Sequence, residues 1–417
     1  MSTTSNSPKN RFTIVIKLGS SSLYDEETRQ HKIANMSLIA ETICRLRRDG
    51  HHVVIVSSGG IAVGLKQLQL EGRPKKLSQT QAVAATGQAR LIGLWDDLFR
   101  QLDQPIAQIL LTRNDVADRT QYLNAANTMQ ELLNMGIIPI VNENDTLTVQ
   151  EIQFGDNDTL SAITAGMISA DFLFLMTDVD CLYTGNPRDN PDAKPVLVVD
   201  NVNELKVDAT STGNSSVGTG GMTTKLIAAE LGTSAGVTVI ICRSSVPGNI
   251  HAIVQHIQNA PPEEKDMSPD ELMHSLTMNE VPLHTRFLPK ERPIGDRKFW
   301  ILHTVATHGS VIVDKGAYEA ITRPERAGLL PVGVLGTQGN FHANQGVDIY
   351  VGDRHNPEAE LEHIGKCLVN YPASEIENIK GLQSNQIEDQ LGYADSEYIA
   401  FRENMAFFSG VRPDDKQ

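Results

Sequence analysis

The first part of the chain alternates between short continuous apolar runs and longer segments with helical periodicity. Continuous runs of this length are typical of strands that are buried on both faces. They occupy Phe12 to Leu18, His52 to Val56, Ile106 to Leu111, Ile137 to Val141, Asp171 to Met176 and Val237 to Ile241. Apolar residues at helical spacing lie between them, from Ile33 to Leu46, Gln79 to Leu102, Gln121 to Met135 and Lys225 to Ala235. The alternation predicts right-handed crossovers and a mainly parallel sheet covered by helices on both faces.

The pattern changes from Lys298 onward. Short β-like runs (Phe299 to Leu302, Ser310 to Val313 and Val347 to Val351) alternate there with Gly-rich turns, which predicts a small, mostly β domain. The preceding stretch is rich in Pro and charged residues and is compatible with a linker, a flap or the last hairpin of the first domain. We therefore expect a disordered tail at 1–10, a first domain at 11–297 whose end at 261–297 is linker-like or flap-like, and a second domain at 298–417.

Composition excludes several classes of protein. A chain of 417 residues with 36 basic and 51 acidic side chains carries a net charge of −15, which disfavours loose binding to nucleic acid or to an anionic membrane. The four cysteines are far apart, which argues against a zinc ribbon or a disulfide framework and fits reduced thiols. No signal-peptide core and no run of about 18 apolar residues is present. We expect a cytoplasmic protein that does not bind membranes.

Polar clusters follow three of the predicted strands at their carboxyl ends. Lys17 and Gly19 follow the first strand, Ser57 to Gly60 the second, and Asn142 to Asp145 the fourth. The last cluster opens NENDTLTVQEIQFGDNDTLS, which contains two similar carboxylate-rich motifs, NEND and GDND. Asn and Asp are also common in solvated turns that bind no ligand. However, ligands of parallel sheets gather at the carboxyl ends of strands, so the sequence predicts that these clusters form one site.

A glycine-rich loop, Gly218 to Lys225, opens a later predicted helix. Glycines, threonines and a lysine at a helix start are a credible phosphate cradle, although a disordered loop is the alternative. The loop has neither the spacing of a Walker A motif nor that of GxGxxG, and the chain has no HRD or DFG set. Another turn-rich segment, Thr177 to Arg188, either contacts a nucleotide or is only a connection.

These pieces suit phosphoryl transfer, which depends on positioning and charge neutralisation. Lys17 and Lys225 would supply cations, and Asp158 could hold both lysines in place. A carboxylate acceptor has a reference pKa of about 4 and is already ionised, so no general base is needed. Asp145 and Asn157 beside an amide-rich turn would suit an acidic ligand that also carries an ammonium group.

The motifs that carry this chemistry resemble those of the glutamate 5-kinases. VIKLGSSSL, VSSGGIAVG, NENDTLTVQEIQFGDNDTLSA, TDVDCLYTGNPR and GTGGMTTKLIAA are similar to the family's motifs and stand in the family's order. The resemblance covers Phe12 to Arg297, and Lys298 to Phe408 resembles a PUA domain. It implies the amino-acid-kinase fold, a three-layer α/β/α sandwich, followed by a PUA-like domain. The implied reaction converts ATP and L-glutamate to ADP and γ-glutamyl phosphate, the first step of proline biosynthesis.

The resemblance also implies roles for individual residues. Lys17 and Lys225 would contact the phosphates, and Asp158 would orient these lysines. Glutamate would contact Ser57, Asp145 and Asn157, near the backbone amides of Gly59 and Gly60. ATP would contact Lys17, Gly19, Thr177, Asp178, Thr219, Gly220, Gly221, Met222, Thr223, Thr224 and Lys225. Mg²⁺ is expected on the nucleotide rather than in a cage made by protein side chains alone.

Partners follow from the same resemblance. We expect inhibition by proline through the loop between Asp145 and Gly155, transfer of the labile product to a separate reductase, and a homo-oligomer. The alternatives are a kinase acting on N-acetylglutamate, aspartate or UMP, an RNA-binding protein that acts through the PUA-like domain, and an inactive regulatory homologue. RNA binding is disfavoured because the second domain is net acidic.

Overall fold

The computed structural model describes residues 11–25, 27–28, 30–147, 156–185, 190, 192–202, 205, 221–260, 267–290, 293–323, 327–356, 359–408 and 411. The chain divides into two compact units. The first contains Met1–Asp115 and Thr120–Pro293, and the second contains Val116–Arg119 and Ile294–Gln417.

The part of the chain up to residue 290 contains twelve described strands. They are β1 Thr13–Leu18, β2 Tyr24–Asp25, β3 Gln30–His31, β4 His52–Ser57, β5 Ile106–Leu111, β6 Ile138–Glu143, β7 Phe172–Thr177, β8 Leu182–Tyr183, β9 Pro195–Val196, β10 Val198–Val199, β11 Thr238–Arg243 and β12 Thr285–Phe287. The helices are α1 Ser20–Leu23, α2 Ile33–Arg48, α3 Gly60–Gln67, α4 Leu77–Arg100, α5 Arg113–Ala117, α6 Arg119–Asn134, α7 Asn157–Met167, α8 Met222–Ser234, α9 Gly248–Asn259 and α10 Pro269–Met278.

Within the described residues, eight strands of the first unit form one sheet in the order β10-β12-β11-β7-β1-β4-β6-β5. All neighbouring pairs are parallel except β11 with β12. The mainly parallel sheet predicted from the sequence is confirmed. The stretch before Arg297 contributes α10 and the antiparallel strand β12 to this unit.

The two faces of this sheet are covered by different helices. Successive side chains of a strand point to opposite faces. On β1, Ile14, Ile16 and Leu18 belong to a core cluster that includes side chains of α2, α4 and α9. Lys17 lies on the other face, where α7 packs against β1 and α8 packs against α7. The result is the three-layer α/β/α sandwich.

Helices α3 and α4 cross at very short distance because both carry glycine at the crossing. A Cβ atom on Gly87 would lie 1.8 Å from the carbonyl oxygen of Gly60, and one on Gly64 would lie 2.0 Å from that of Val83. Real Cβ atoms do not approach backbone this closely, so the crossing requires glycine at both positions. The crossing fixes the position of the start of α3, next to the turn at Gly59.

The second unit is built around a five-stranded sheet. Its elements are α11 Asp296–His303, β13 Thr307–Val313, α12 Lys315–Thr322, β14 Val334–Gly339, β15 Gly346–Val351, β16 Glu362–Leu368, α13 Ala373–Ile379, α14 Ile387–Leu391 and β17 Met405–Phe407. Among the described residues the strand order is β14-β13-β15-β16-β17, and only β13 with β15 is parallel. The predicted small, mostly β domain is confirmed.

The prediction of a β-like run at Phe299 to Leu302 was wrong, because these residues lie in α11. All four are buried, and a short apolar run does not distinguish a buried strand from a fully buried helical turn. Gly295 precedes the helix and Asp296 stands in its first turn, which were the available helix-start signals. No described helix is long and apolar enough to cross a membrane.

Candidate functional site

Two lysines share one buried carboxylate at the carboxyl end of β1. Nζ of Lys17 lies 2.6 Å from Oδ1 of Asp158, and Nζ of Lys225 lies 3.2 Å from Oδ2. The three residues are 4%, 0% and 6% exposed for Lys17, Asp158 and Lys225 respectively. Asp158 stands in the first turn of α7, and Lys225 stands in the first turn of α8. The topology therefore brings together three residues that are far apart in the sequence.

The charges of this cluster do not balance. Burial alone would raise the pKa of Asp158, but Lys17 and Lys225 outweigh it and lower this pKa to about 2. Burial lowers the pKa of Lys225, assisted by the charge of Lys17 and opposed by Asp158. With both lysines protonated, these three side chains carry one excess positive charge in a largely water-free setting, which the nearby carboxylate of Asp156 offsets in part. Such a cluster is suited to an anion of high charge density, such as a phosphate.

A second polar cluster adjoins the first through Asn157. Its Nδ2 donates to Oγ of Ser58 at 2.7 Å and to Oδ1 of Asn142 at 3.1 Å. Nδ2 of Asn142 in turn donates to Oε1 of Gln88 at 2.7 Å. Asn157 immediately precedes Asp158 in α7, so the two clusters meet at one helix start. The second cluster is neutral and rich in amides and hydroxyls.

The two serines at the end of β4 make different contacts, and these contacts differ from those expected when Ser57 was assigned to glutamate. Ser57 is 1% exposed, and its Oγ accepts a hydrogen bond of 3.3 Å from Nε1 of Trp95, in the core. Ser58 instead contacts Asn157. Strand alternation explains the difference, since Ser57 shares the face of Ile55, whereas Ser58 shares the face of Val56, which is aligned with Lys17. The alternation of side chains along the strand, counted from the sequence, would have indicated Ser58 rather than Ser57.

The turn that follows these serines is shaped by Gly59. This residue has a φ of 109°, a left-handed conformation that favours glycine, and it caps α3 at its N-terminus. Gly60 then begins the helix, and a Cβ atom there would lie 3.1 Å from Oε1 of Gln88. Asp145 stands in the turn after β6, where burial raises the pKa of its carboxyl group, opposed by Arg73. Sequence analysis did not identify Gln88, because this residue lies in the middle of α4 and belongs to no local motif.

The predicted nucleotide residues lie at the ends of β1 and β7 and at the start of α8. Gly19 precedes α1, and a Cβ atom there would be 3.7 Å from Nζ of Lys17. Gly221 caps α8, so Met222 and Thr223 stand in its first turn. Oγ1 of Thr224 donates to the carbonyl oxygen of Gly221 and to Oδ2 of Asp158, both at 2.8 Å. The remaining predicted members of this loop, Thr219 and Gly220, lie outside the described residues.

Thr177 and Asp178 are held at the end of β7. The Ser244 amide donates to the carbonyl oxygen of Thr177 at 2.7 Å. Close by, the guanidinium of Arg243 pairs with both carboxylate oxygens of Asp180, at 2.7 Å from Nε and 2.8 Å from Nη2. This bidentate pair, which sequence reasoning missed, fastens the loop after β7 to the end of β11.

Comparison with known proteins gives the family. The model of the amino acid kinase family matches residues 12–243, and that of the PUA domain matches residues 309–391. A probable glutamate 5-kinase of Schizosaccharomyces pombe is 57% identical over 97% of this chain and 95% of its own length. The chain belongs to the glutamate 5-kinases of the amino acid kinase family. The family resemblance drawn from the motifs is confirmed, and the chain is a kinase.

Two other relatives extend the similarity. A glutamate 5-kinase of Acaryochloris marina is 43% identical over 94% of this chain and 98% of its own length. An uncharacterized protein of Saccharomyces cerevisiae, YHR033W, is 50% identical over 95% of this chain and 98% of its own length. The similarity to this family therefore extends across both units.

The carboxylates of this glutamate 5-kinase site do not provide a metal cage of their own. Asp158 already contacts Lys17, Lys225 and Thr224, so a metal ion bound to it would lie next to two ammonium groups that repel it. The described residues include no group of three or more His, Cys, Asp or Glu side chains arranged to hold a metal ion. The geometry is compatible with Mg²⁺ that arrives on the phosphates of a nucleotide.

Proposed function

We propose that this chain transfers the γ-phosphoryl group of ATP to the γ-carboxylate of L-glutamate, giving ADP and γ-glutamyl phosphate in the first step of proline biosynthesis. The observation that carries the proposal is the contact of Lys17 and Lys225 with the buried carboxylate of Asp158, next to a neutral cluster of amides and hydroxyls. The acceptor is inferred from the names of the relatives.

The chemistry needs little from the protein besides charge and position. A γ-carboxylate oxygen attacks the γ-phosphorus, a new C–O–P linkage forms, and the bond to the β-phosphate oxygen breaks with its electron pair leaving on ADP. The acceptor is already ionised, which removes the need for a base. Lys17 and Lys225 would stabilise the charge on the transferring group, and Asp158 would hold both ammonium groups in place.

The acceptor would bind beside these lysines. We propose that Ser58, rather than the buried Ser57, contacts glutamate together with Asn157, and that the backbone amides of Gly59 and Gly60 face its carboxylate. The carboxylate of Asp145 would pair with the α-ammonium group. Asn142 and Gln88 would hold Asn157 in the orientation that this contact requires.

The nucleotide would bind across the ends of β1, β7 and α8. Gly19 and the stretch from Thr219 to Lys225 would surround the phosphates, and Thr177 and Asp178 would contact the nucleoside. We also propose that Mg²⁺ enters with ATP, since the buried carboxylate of Asp158 is taken by two lysines.

The test is ATP turnover with glutamate, N-acetylglutamate, aspartate and UMP, with hydroxylamine present to trap an acyl phosphate as hydroxamate. Lys225→Ala should lower glutamate-dependent hydroxamate formation by about 100-fold or more, the scale of losing one donor to a developing charge. Asp158 keeps Lys17 as its counterion in this variant, so the fold is retained. The control is Lys290→Ala, which removes a lysine paired with Glu230 outside the site. Turnover with another acceptor, or equal activity of both variants, would contradict the proposal.

Finer features complete the proposal. Proline would compete with glutamate, through a loop whose residues 148–155 lie outside the described part of the chain. If saturating proline left activity at low glutamate unchanged, this part would be wrong. The labile product would pass to a separate reductase, and the chain would form a homo-oligomer. Its four cysteines are buried and unpaired, which favours a reducing compartment such as the cytoplasm.

A further inference from the structure

A second basic site lies away from the lysine pair, in the first unit. A cavity of about 560 Å³ is lined by Lys66, Arg90 and His31, with the hydroxyl of Thr28 and the amide of Gln30 beside them. These side chains come from the β2–β3 hairpin, the end of α3 and the middle of α4. None of them belongs to the candidate site described above.

The cations of this cavity have no acidic counterpart among the described residues. Within those residues, neither the ammonium group of Lys66 nor the guanidinium group of Arg90 makes a hydrogen bond or an ion pair. Nδ1 of His31 is enclosed by protein and also lacks a hydrogen bond in the described part of the chain. Burial lowers the pKa of His31, and the charges of Lys66 and Arg90 lower it further. A chain with a net charge of −15 thus concentrates cations here without neutralising them.

We propose that this cavity binds a small polyanion that carries two or more phosphate or carboxylate groups, at a site separate from the reacting groups. Arg90 offers a planar fork that matches either kind of oxyanion, and Lys66 adds a point charge. Two aliphatic side chains, Ile33 and Leu94, line the same cavity. The volume is that of a site for a small molecule.

The elements that line the cavity also lead to residues of the proposed active site. The hairpin that carries His31 follows α1, which begins directly after Gly19 beside Lys17. Arg90 lies two residues beyond Gln88, whose side-chain Oε1 accepts a hydrogen bond from Asn142. An anion that draws the hairpin toward α4 therefore acts on elements that lead to the reacting groups. Regulation of turnover rests on the proposed function, whereas binding itself does not.

Binding is tested by calorimetry with inorganic pyrophosphate and with citrate, in the absence of ATP and glutamate. Each of Arg90→Gln and Lys66→Gln should weaken binding about tenfold, the scale of one charged hydrogen bond. Arg45→Gln, which removes an exposed cation of α2 away from the cavity, should leave it unchanged. Lys225→Ala should also retain it, which separates the cavity from the phosphate site.

Either anion bound with this pattern supports the proposal, and the preferred anion identifies the ligand class. Binding of neither anion would overturn it, as would binding that is lost in Lys225→Ala, or binding to Lys225→Ala that survives the further addition of both cavity substitutions. Activity on glutamate is not needed for any of these outcomes, so failure of the proposed function would be recognised separately.

Proton linkage supplies a second readout. The groups that face His31 are Lys66 on α3, Arg90 on α4 and the ring of Tyr24 on β2. A bound anion would offset the two cations and raise the pKa of His31, so protons are taken up on binding. Affinity should therefore increase as the pH falls from about 8 to about 6, and His31→Gln should abolish this increase. An unchanged pH dependence in that variant would contradict the role of His31.

Discussion

Replacing Asp158 with Asn would remove the single charge that holds two buried lysines together. The substitution keeps the size of the side chain, and its amide oxygen still accepts from Thr224. Lys17 and Lys225 would then be buried and close to each other without the carboxylate that both contact, and only the charge of Asp156 would remain nearby. The variant therefore isolates charge from packing.

The expected loss of stability follows from two observations. The pKa of Asp158 is lowered from 3.8 to about 2, which corresponds to about 2 kcal/mol of stabilisation of the ionised carboxylate. This stabilisation is present above the unfolded-state pKa and is lost as the pH falls from about 4 to about 2. Removing one partner of a buried pair also leaves the other charges unpaired, and such changes cost about 3–5 kcal/mol. We expect a loss of about 3–5 kcal/mol at pH 7.

The loss should shrink in alkaline solution. The pKa of Lys225 is already lowered by burial and by Lys17, and removal of the carboxylate takes away the charge that opposes this shift. Lys225 therefore deprotonates at lower pH in Asp158→Asn than in the native chain. Once it is neutral, repulsion with Lys17 disappears.

The assay is urea unfolding followed by tryptophan fluorescence. The chain has two tryptophans, and Trp300→Phe leaves Trp95, which is fully buried in the core of the first unit, as the single reporter. Asp115→Asn in the same background is the matched control, because Asp115 lies outside the lysine cluster and accepts from the amide and hydroxyl of Thr112, which the oxygen of Asn can also do. Equal stabilities of Asp158→Asn and the control at pH 7, or a difference that grows toward pH 10, would refute the reasoning.

Three further predictions concern other parts of the chain. Ser58→Ala should raise the KM for glutamate about tenfold, whereas Ser57→Ala should mainly cost about 1 kcal/mol of stability, measurable by steady-state kinetics and unfolding; equal KM values would contradict this division. His284 is buried and burial lowers its pKa to about 4, so the unfolded chain takes up a proton first as the pH falls below 6.5. Proton uptake by His284 in the unfolded chain should therefore lower the free energy of unfolding by about 2 kcal/mol between pH 7 and pH 5. His284→Gln should remove this loss, whereas the control variant His274→Gln, at an exposed residue, should retain it. Urea unfolding at both pH values measures the difference. Arg243→Lys loses the bidentate pairing near Thr177, so it should raise the KM for ATP several-fold without changing that for glutamate, and an unchanged KM for ATP would count against a role in positioning the nucleotide.

Periodicity was sufficient to predict the sheet because its strands are buried on both faces. Runs such as Phe12 to Leu18 are apolar throughout, which identifies them as buried strands. The helices between them are long enough for the helical spacing of their apolar residues to be visible. The contact between Lys17 and Asp158 also follows from topology, since both stand where parallel strands end and helices begin. Their roles in catalysis remain proposals that the variants above test.

Other features depended on information that local patterns do not contain. The run at Phe299 to Leu302 is too short for its period to separate strand from helix, and the neighbouring core decided it. The choice between Ser57 and Ser58 depends on which face of β4 meets α7, a fact that the register with Lys17 supplies. Gln88 reaches Asn142 only because glycines let α3 and α4 approach each other closely. These contacts are long-range, and one-dimensional spacing does not record them.

The lysine cluster buries two cations against a single carboxylate that contacts both. A structural ion pair would need one cation for the carboxylate of Asp158, and Lys17, at 2.6 Å, already supplies it. Lys225 adds a second cation at a desolvation cost that lowers its pKa, and within the described residues Asp156 attracts this ammonium without forming a second ion pair. Stability alone gives no reason for this arrangement, because burial of an excess charge is unfavourable. A ligand that brings negative charge removes the imbalance, so the free site is strained in the direction that binding relieves.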